Sequence, residues 1–221
     1  MNAGEVRFLI GPNGAGKTTL LDAICGRVQP SRGRVMWRGA NLSRLQEHQI
    51  ARRGIGRKFQ APSVFSSLCV RDNLELAAHG PRGVMHALRS SRPMQADSLD
   101  EALVTAGLQD RADETAGALS HGAKQWLEIA MLLMQKPDLI LLDEPAAGMS
   151  DPETERMGQL LHTLSASRSV LVVEHDMEFV RQFAHRVSVM HEGRMLCEGT
   201  MDEVQQNERV AEVYLGRKVA A

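Results

Sequence analysis

The stretch Gly11-Pro12-Asn13-Gly14-Ala15-Gly16-Lys17-Thr18 decides the fold of this chain of 221 residues. It matches the pattern G-x-x-x-x-G-K-[ST], whose glycines let backbone N–H groups turn inward around a phosphate at the start of a helix. A strand-like run, Val6–Ile10, precedes it, and apolar residues at helical spacing follow over positions 17–27. These flanking elements disfavour the alternative, a glycine-rich turn that merely starts a helix. The pattern therefore predicts a nucleotide site, in which Lys17 reaches the β- and γ-phosphates and the Thr18 hydroxyl holds Mg²⁺.

The composition of the chain sets its broad class. Hydrophobic residues make up 43% and charged residues 24%, as is typical of a folded globular protein. The length indicates one domain, or one domain with a sizeable inserted subdomain. The 26 Lys and Arg residues nearly balance the 27 Asp and Glu residues, for a net charge of -1. Because non-specific phosphate-backbone binding needs a clustered basic excess, we expect no nucleic-acid partner.

Other sequence features bear on compartment and metal content. No apolar stretch approaches the ~20 residues that a membrane-spanning helix needs. The cysteines, Cys25, Cys69 and Cys197, form no C-x-x-C pair, which argues against a disulfide framework or a zinc site. The sequence does not begin with a basic segment followed by an apolar one, so we expect a cytoplasmic protein.

The first half of the chain predicts a core that is interrupted by helices. Short strands are predicted at 33–37 and 55–59, after which the strand signal disappears until about residue 136. Helices are predicted within this interval at 72–78, 98–106 and 124–134. A capping box at Ser98 marks the predicted start of the second helix. The segment 80–94, rich in Arg, Ser, Gly and Pro, is interpreted as a mobile surface connection.

In the last third of the chain, strands and helices alternate. Continuous apolar runs at 139–142 and 170–173 indicate strands that are covered on both faces. Between them, Asp151-Pro152 predicts the N-cap and the first residue of a helix. A hairpin around Glu192-Gly193 and a helix capped by Thr200 follow. This alternation predicts an α/β fold with a helical insertion.

Candidate catalytic residues stand at the ends of the two apolar strands. Asp143 and Glu144 follow the first one, at the carboxyl edge where parallel sheets bind ligands. Asp143 would bind Mg²⁺ there, and Glu144 would orient or deprotonate the attacking water. An Asp-Glu-Pro sequence alone is more often a solvated strand end, but the phosphate loop favours the catalytic interpretation. His175 follows the second strand and would reach the γ-phosphate, and Glu174 beside it is interpreted as a supporting or surface group.

In their order and spacing, these motifs resemble those of the ATP-binding subunits of ABC transporters over nearly the whole chain. The matching motifs are Walker A at 11–18, the Q-loop glutamine Gln60, the signature Leu119-Ser120-His121-Gly122-Ala123, Walker B at 139–144, the D-loop Ser150-Asp151 and the H-switch His175. The resemblance implies a P-loop NTPase core of ABC ATPase type, 1–62 and 135–221, with an inserted helical subdomain, 63–134.

The resemblance also implies an ATP–Mg²⁺ site that two subunits share. Glu144 and His175 would be catalytic, and Thr18, Gln60 and Asp143 would hold Mg²⁺. The nucleotide-binding residues that the family pattern implies are Gly11, Pro12, Asn13, Gly14, Ala15, Gly16, Lys17, Thr18, Thr19, Gln60, Ser120, Gly122 and Asp151.

Shorter blocks are similar to the branched-chain amino acid uptake group of this family. They lie at 56–60, 146–149, 174–177 and 213–217. Within that group, the blocks 118–122 and 124–128 are similar to the urea-transport ATPases. The implied function is ATP hydrolysis that powers import of a small polar solute, either urea or a branched-chain amino acid or short amide.

Implied partners are a second ABC ATPase subunit, identical or paralogous, two membrane permeases and, indirectly, a solute-binding protein. The chain would then be peripheral on the inner face of the cell membrane, and the segment 61–68 is a candidate permease contact. Two alternatives are an inactive or regulatory nucleotide-binding subunit and a soluble, non-transport ABC ATPase. The repair and ribosomal forms of the latter need long coiled coils or tandem domains, and the sequence contains neither.

Two positions depart from the family pattern. The family has a longer segment before the phosphate loop, with an aromatic residue that stacks on adenine, whereas ten residues precede Gly11 here. We therefore expect truncated N-terminal strands and about tenfold weaker nucleotide binding, since base–aromatic stacking stabilises by ~1–3 kcal/mol. Ala123 replaces the usual signature glutamine and is expected to weaken function without abolishing it. His121 replaces a glycine but matches the urea-like pattern.

Overall fold

The fold is described from a computed structural model in which residues 1–58, 63–79 and 96–215 are placed. The chain divides into two compact units, the first formed by Met1–Ile55 and Asp138–Ala221 and the second by Gly56–Pro137. The predicted boundaries of the core and the inserted subdomain lie a few residues away from this division and stay a prediction. In the described part of the chain, no helix combines the length and apolar character that crossing a membrane requires.

The first unit is built on a mostly parallel sheet. Its strands are β1 (Val6–Ile10), β5 (Leu139–Asp143), β6 (Ser169–Val173), β7 (Arg186–His191) and β8 (Arg194–Gly199). They lie in the order β5-β6-β1-β7-β8, and only the β7–β8 hairpin is antiparallel. All residues of β5 and β6 are buried, as their continuous apolar runs predict. The parallel strands direct their carboxyl ends to one edge.

Helices and a small hairpin complete the first unit. The helices are α1 (Lys17–Cys25), α2 (Glu47–Ala51), α6 (Asp151–Ser165), α7 (Met177–Phe183), α8 (Met201–Gln205) and α9 (Glu208–Leu215), and the hairpin pairs β2 (Met36–Trp37) with β3 (Ala40–Asn41). Helix α1 ends at Gly26, whose left-handed conformation (φ 81°) suits glycine.

One face of the sheet packs against α1. Its apolar cluster includes Leu9, Leu21, Leu141, Leu171 and Met190, which come from β1, α1, β5, β6 and β7. Burial of these side chains holds the phosphate loop, between β1 and α1, against strands that end at the same edge.

The second unit is mainly helical. It contains β4 (Ile55–Lys58), whose first residue belongs to the first unit, and α3 (Val70–His79), α4 (Ala96–Ala106) and α5 (His121–Met134). The three helices pack against one another, and two 3₁₀ turns, Gln109–Arg111 and Ala116–Ala118, lie between α4 and α5.

Several predicted boundaries are wrong at helix starts. Ser98 is not a cap, because α4 begins two residues earlier, at Ala96. Asp151 is the first helical residue of α6, and the N-cap is Ser150, which forms a capping box with Glu153. Helix α5 also begins earlier than predicted, at His121.

The remaining predicted elements are in part altered and in part confirmed. The predicted strand at 33–37 is half of the β2–β3 hairpin, and α2, α7 and α9 were not predicted. The hairpin at Glu192-Gly193 and the capping box at Thr200 are confirmed. The predicted connection at 80–94, Phe59 and Gln60 lie outside the described residues.

We predict that Gly158→Ala destabilises the protein, although alanine is normally the better helix former. A Cβ at this position of α6 would lie 2.1 Å from the ring of Phe183 on α7. The overpacked ring should lower the free energy of unfolding by about 1–3 kcal/mol, measured by urea denaturation. Thr163→Ala, at an exposed position of the same helix, is the control. A Gly158→Ala variant as stable as the wild type would contradict the described packing of α6 on α7.

Candidate nucleotide site

The phosphate loop occupies residues 11–16, between the end of β1 and the start of α1. Gly14 and Gly16 have left-handed backbones, with φ of 80° and 96°, which side chains rarely adopt. Gly16 is the N-cap of α1 and makes no side-chain cap hydrogen bond. The first N–H groups of α1 are therefore available to an anion, at the positive end of the helix dipole.

Lys17 places its ammonium over this loop. Its Nζ donates to the carbonyl oxygens of Gly11 and Pro12, at 2.7 and 3.2 Å. A charge-assisted bond to a phosphate oxygen is stronger than one to a neutral carbonyl. The ammonium can thus exchange its loop partners for a phosphate with little movement of the backbone.

The β7–β8 turn supports the loop from outside. The N–H of Gly193 donates to the carbonyl oxygen of Ala15, at 3.0 Å. A Cβ at Gly11 would lie 2.2 Å from the carbonyl oxygen of Met190, so this close approach requires glycine. Sequence reasoning missed this support, because the hairpin lies more than 170 residues from the loop in the chain and no local pattern connects them.

Asp143 and Glu144 stand at the end of β5. Asp143 is buried and lies opposite Val173 of β6 in the register of the sheet. Glu144 leaves the strand with a left-handed backbone (φ 49°), and its N–H donates to the carbonyl oxygen of Val173, at 2.9 Å. Such a conformation costs about 1–3 kcal/mol in a residue other than glycine, and such strain clusters at functional positions.

The structure brings Glu144 and His175 together. Glu144 Oε1 lies 3.4 Å from His175 Nδ1, at the adjoining ends of β5 and β6. The side chains are 26% and 65% exposed, so both remain accessible to a ligand while they contact each other. This arrangement is the one that the strand-end pattern predicts.

Glu174 is a structural centre of this edge that sequence reasoning left undecided. It is buried, which agrees with its interpretation as a supporting group and not with the surface alternative. Its carboxylate accepts hydrogen bonds from the N–H groups of Ala146 and His175, at 3.2 and 3.0 Å. Burial raises the pKa of Glu174, and these backbone hydrogen bonds act in the opposite direction. The residue ties the loop after Glu144 to the end of β6.

A cavity of about 560 Å³ lies beside His175 and includes Asp151, the first residue of α6. Its lining contains five carboxylates, those of Asp151, Glu155, Glu174, Asp176 and Glu178, and no residue of the phosphate loop. Carboxylates repel phosphates, so this cavity does not suit the triphosphate of a nucleotide. The phosphate loop, with its free helix N-terminus and the Lys17 ammonium, is the site whose chemistry suits a triphosphate.

The signature residues lie in the second unit. Ser120 is the N-cap of α5, and its hydroxyl accepts a hydrogen bond from the N–H of Ala123, at 3.3 Å. His121 and Gly122 follow in the first turn of the helix, and Ser120 is exposed. Gln60 lies outside the described residues, so its predicted contact stays a prediction.

Among the described residues, no group of three or more His, Cys, Asp and Glu side chains is placed to hold a metal ion. A magnesium site of the predicted kind does not need one, because Mg²⁺ is usually bound by one or two carboxylates together with substrate phosphates. The buried carboxylate of Asp143 and the exposed hydroxyl of Thr18 fit that donor set.

A phosphate loop at the end of the central parallel strand β1, with acidic residues at the end of β5, two positions along the same sheet, defines a P-loop nucleotide-binding ATPase. A model of the ABC transporter family matches residues 1–147, and one of the branched-chain amino acid ATP-binding cassette transporters matches residues 194–220. The chain therefore belongs to the ATP-binding subunits of ABC transporters, in the branched-chain amino acid transport group, and is an ATPase of that family.

Two curated relatives illustrate the range of similarity. The high-affinity branched-chain amino acid transport ATP-binding protein LivG of Escherichia coli (strain K12) is 36% identical over 222 residues, covering 96% of this chain and 87% of LivG. The lipopolysaccharide export system ATP-binding protein LptB of Acidithiobacillus ferridurans is 33% identical over 214 residues, covering 96% of this chain and 86% of LptB.

Solved structures confirm the fold. The ADP conformation of the ATP-binding cassette MJ1267 superposes with a TM-score of 0.80 at 27% identity, covering 98% of this chain and 89% of that one. A dimeric post-hydrolysis state of the cassette MJ0796, bound to ADP and Pi, superposes with a TM-score of 0.77 at 26% identity, covering 91% and 87%. The predicted fold class, an α/β P-loop core of ABC type, is thereby confirmed.

We predict that Glu174→Gln lowers the melting temperature, because Ala146 and His175 donate to different carboxyl oxygens and the amide nitrogen that replaces one of these oxygens cannot accept a hydrogen bond. Since burial raises the pKa of Glu174, protonation of this group is favoured in the folded state. The stability that Glu174 contributes is then fully present at pH values below its ordinary pKa of 4.5. This contribution declines as the pH rises through the raised pKa of the folded state. The difference in melting temperature between wild type and variant should narrow from acid to neutral pH.

The control is Glu178→Gln, at an exposed carboxylate beside the same cavity. Its melting temperature should follow that of the wild type at each pH. A Glu174→Gln difference that widens toward neutral pH would mean that the backbone hydrogen bonds outweigh burial at this carboxylate.

Proposed function

We propose that this chain is the ATP-hydrolysing subunit of an ABC importer and that it powers uptake of a small polar solute through membrane permeases. The observation that carries the hydrolytic part is the 3.4 Å contact between Glu144 and His175 at a sheet edge next to the phosphate loop. The family supplies the transport context.

ATP would bind at the phosphate loop, with its phosphates against the N-terminus of α1. The fit is supported by the uncapped N–H groups after Gly16 and by the Lys17 ammonium, which is already held over the loop. Lys17 would bind the β- and γ-phosphates. Mg²⁺ would be held by Thr18, Asp143 and Gln60, and would supply charge neutralisation on the phosphates.

Hydrolysis would depend on Glu144 and His175. Glu144 would orient the attacking water or accept its proton, because its carboxylate is exposed enough to reach solvent and is held by a strained, bonded backbone. His175 would contact both Glu144 and the γ-phosphate. The Glu174 carboxylate would keep the two strand ends at a fixed separation.

The second half of the site would come from another ATPase subunit. Ser120 and Gly122, in the exposed first turn of α5, would bind the nucleotide that the phosphate loop of the other subunit holds. Asp151 would contact the other subunit at the same interface. The dimeric cassette with bound ADP and Pi supports this arrangement by similarity.

The proposed direction of transport and the proposed solute rest on finer resemblance. The C-terminal match to branched-chain amino acid cassettes and the similarity to LivG favour import. The signature block at 118–128 favours urea, with branched-chain amino acids or short amides as the alternatives. The similarity to LptB, a protein of an export system, makes direction the point to be tested.

We expect Glu144→Gln to retain ATP binding, because Lys17, Thr18 and Asp143 are unchanged. Hydrolysis should fall by about 10²–10⁴-fold, the range for loss of a positioned general base. Nucleotide binding is measured by titration calorimetry, and turnover by phosphate release at millimolar ATP with the partner subunits present.

The matched control is Lys17→Ala, which should weaken ATP binding itself because it removes the ammonium over the loop. Wild-type turnover in Glu144→Gln would refute its catalytic role. A wild-type chain that binds ATP but never hydrolyses it, alone or with its membrane partners, would instead support the regulatory alternative.

Reconstitution tests direction and solute. The chain, co-purified with its permeases and placed in proteoliposomes, should drive ATP-dependent uptake of radiolabelled urea or, failing that, leucine or acetamide. The Glu144→Gln complex should show no uptake. ATP-dependent release of a lipid without uptake of any of these solutes would contradict an importer and favour a role closer to that of LptB.

A further inference from the structure

Helix α5 carries a row of polar side chains that begins at the signature. His121, Gln125 and Glu128 are spaced by four and three residues, so they lie along one side of the helix. The Nε2 atoms of His121 and Gln125 are 3.0 Å apart. Gln125 and Glu128 are buried, so the row leads from the exposed start of the helix into the interior of the second unit.

The row ends at a buried ion pair. Lys58, the last residue of β4, has no exposed side-chain surface, and its Nζ lies 3.9 Å from Glu128 Oε2. Withdrawing both charges from water is costly, and apolar side chains of similar volume are often equally stable in such a place. The pair is therefore weak evidence for a stabilising role. The better-attested role of such buried pairs is to select one arrangement of the elements that carry them, here β4 and α5.

A second contact between β4 and α5 lies one helical turn from the pair. A Cβ at Gly56 would lie 2.5 Å from Leu132 Cδ1, so β4 and α5 touch directly at that point. Gly56 and Lys58 share one face of β4, and Leu132 and Glu128 are one turn apart on α5. The ion pair is the contact nearer to the signature. Packing against α3 and α4 holds α5 within the second unit, and the ion pair adds a charged contact that ties the middle of the helix to the end of β4.

We propose that Lys58 and Glu128 are a positioning pair that fixes the direction of α5 and thereby the placement of Ser120 and Gly122 toward the nucleotide of the other subunit. The inference rests on the proposed function, in which these signature residues bind ATP across a dimer. Neither Lys58 nor Glu128 touches the nucleotide in this account.

The test uses the full chain in the Glu144→Gln background, in which bound ATP is not consumed. Added to it, Lys58→Met together with Glu128→Leu replaces the pair by apolar side chains and should leave the melting temperature close to that of the parent. The ATP concentration for half-maximal dimer formation, measured by light scattering after size exclusion, should rise about tenfold. ATP affinity of the dilute monomer should not change, because the phosphate loop is intact.

Two further variants separate positioning from packing. Lys58→Glu with Glu128→Lys keeps opposite charges in contact and should restore the dimerisation midpoint toward that of the parent. Arg111→Gln with Glu114→Gln removes a more exposed ion pair of the same unit, and should leave the midpoint unchanged. If the apolar variant did not fold, the ATP concentration for half-maximal dimer formation of the charge-reversed variant would still test the proposal.

An apolar variant that reaches half-maximal dimer formation at the same ATP concentration as the parent would overturn the proposal. The ion pair would then have only a structural role. A charge-reversed variant that folds but has a midpoint raised tenfold would do the same. A parent that stays monomeric at every ATP concentration would overturn the proposed function and, with it, the inference. That failure is distinguishable because it occurs without any change at Lys58 or Glu128.

Discussion

The parallel pairing of β5 with β6 is the constraint on which the candidate site depends. The strands run in register from Leu139 opposite Ser169 to Asp143 opposite Val173, so they end at the same level. The N–H of Glu144 extends the pairing by one more bond to Val173. Because side chains alternate along a strand, a slip of one residue would turn every side chain of the strand to the other face of the sheet and separate Glu144 from His175.

The supports around this edge compensate for its strain. The left-handed backbone of Glu144 costs about 1–3 kcal/mol, and it is held by its own bond to β6 and by the Glu174 carboxylate beneath the following loop. The phosphate loop has an analogous support in the β7–β8 turn, through Gly193 and Ala15. The segment that matches branched-chain amino acid cassettes begins at residue 194, directly after this turn.

Much of this architecture is encoded locally and could be predicted. The phosphate loop, the buried strands and the Thr200 cap rest on patterns within a few residues, and all appear as expected. The helix starts at Ser98 and Asp151 were wrong because several residues in each segment can cap a helix, and packing decides among them.

The features that were missed depend on contacts between distant residues. Whether Glu174 is buried or exposed depends on the loop that packs over it, and its partner Ala146 lies in another strand connection. The Lys58–Glu128 pair joins elements 70 residues apart, and a lysine in a strand would normally be assigned to the surface. Such pairings carry no signal in a single sequence.

In the proposed mechanism, ATP binds at the phosphate loop with Glu144 and His175 at its γ-phosphate. A crystal structure of the Glu144→Gln chain with ATP and Mg²⁺ tests it most directly. In that structure, Lys17 Nζ should leave the carbonyl oxygens of Gly11 and Pro12 for the phosphates, and residue 144 and His175 should contact the γ-phosphate. Nucleotide bound elsewhere, or bound at the loop with Lys17 still on those two carbonyls and His175 out of reach, would contradict it.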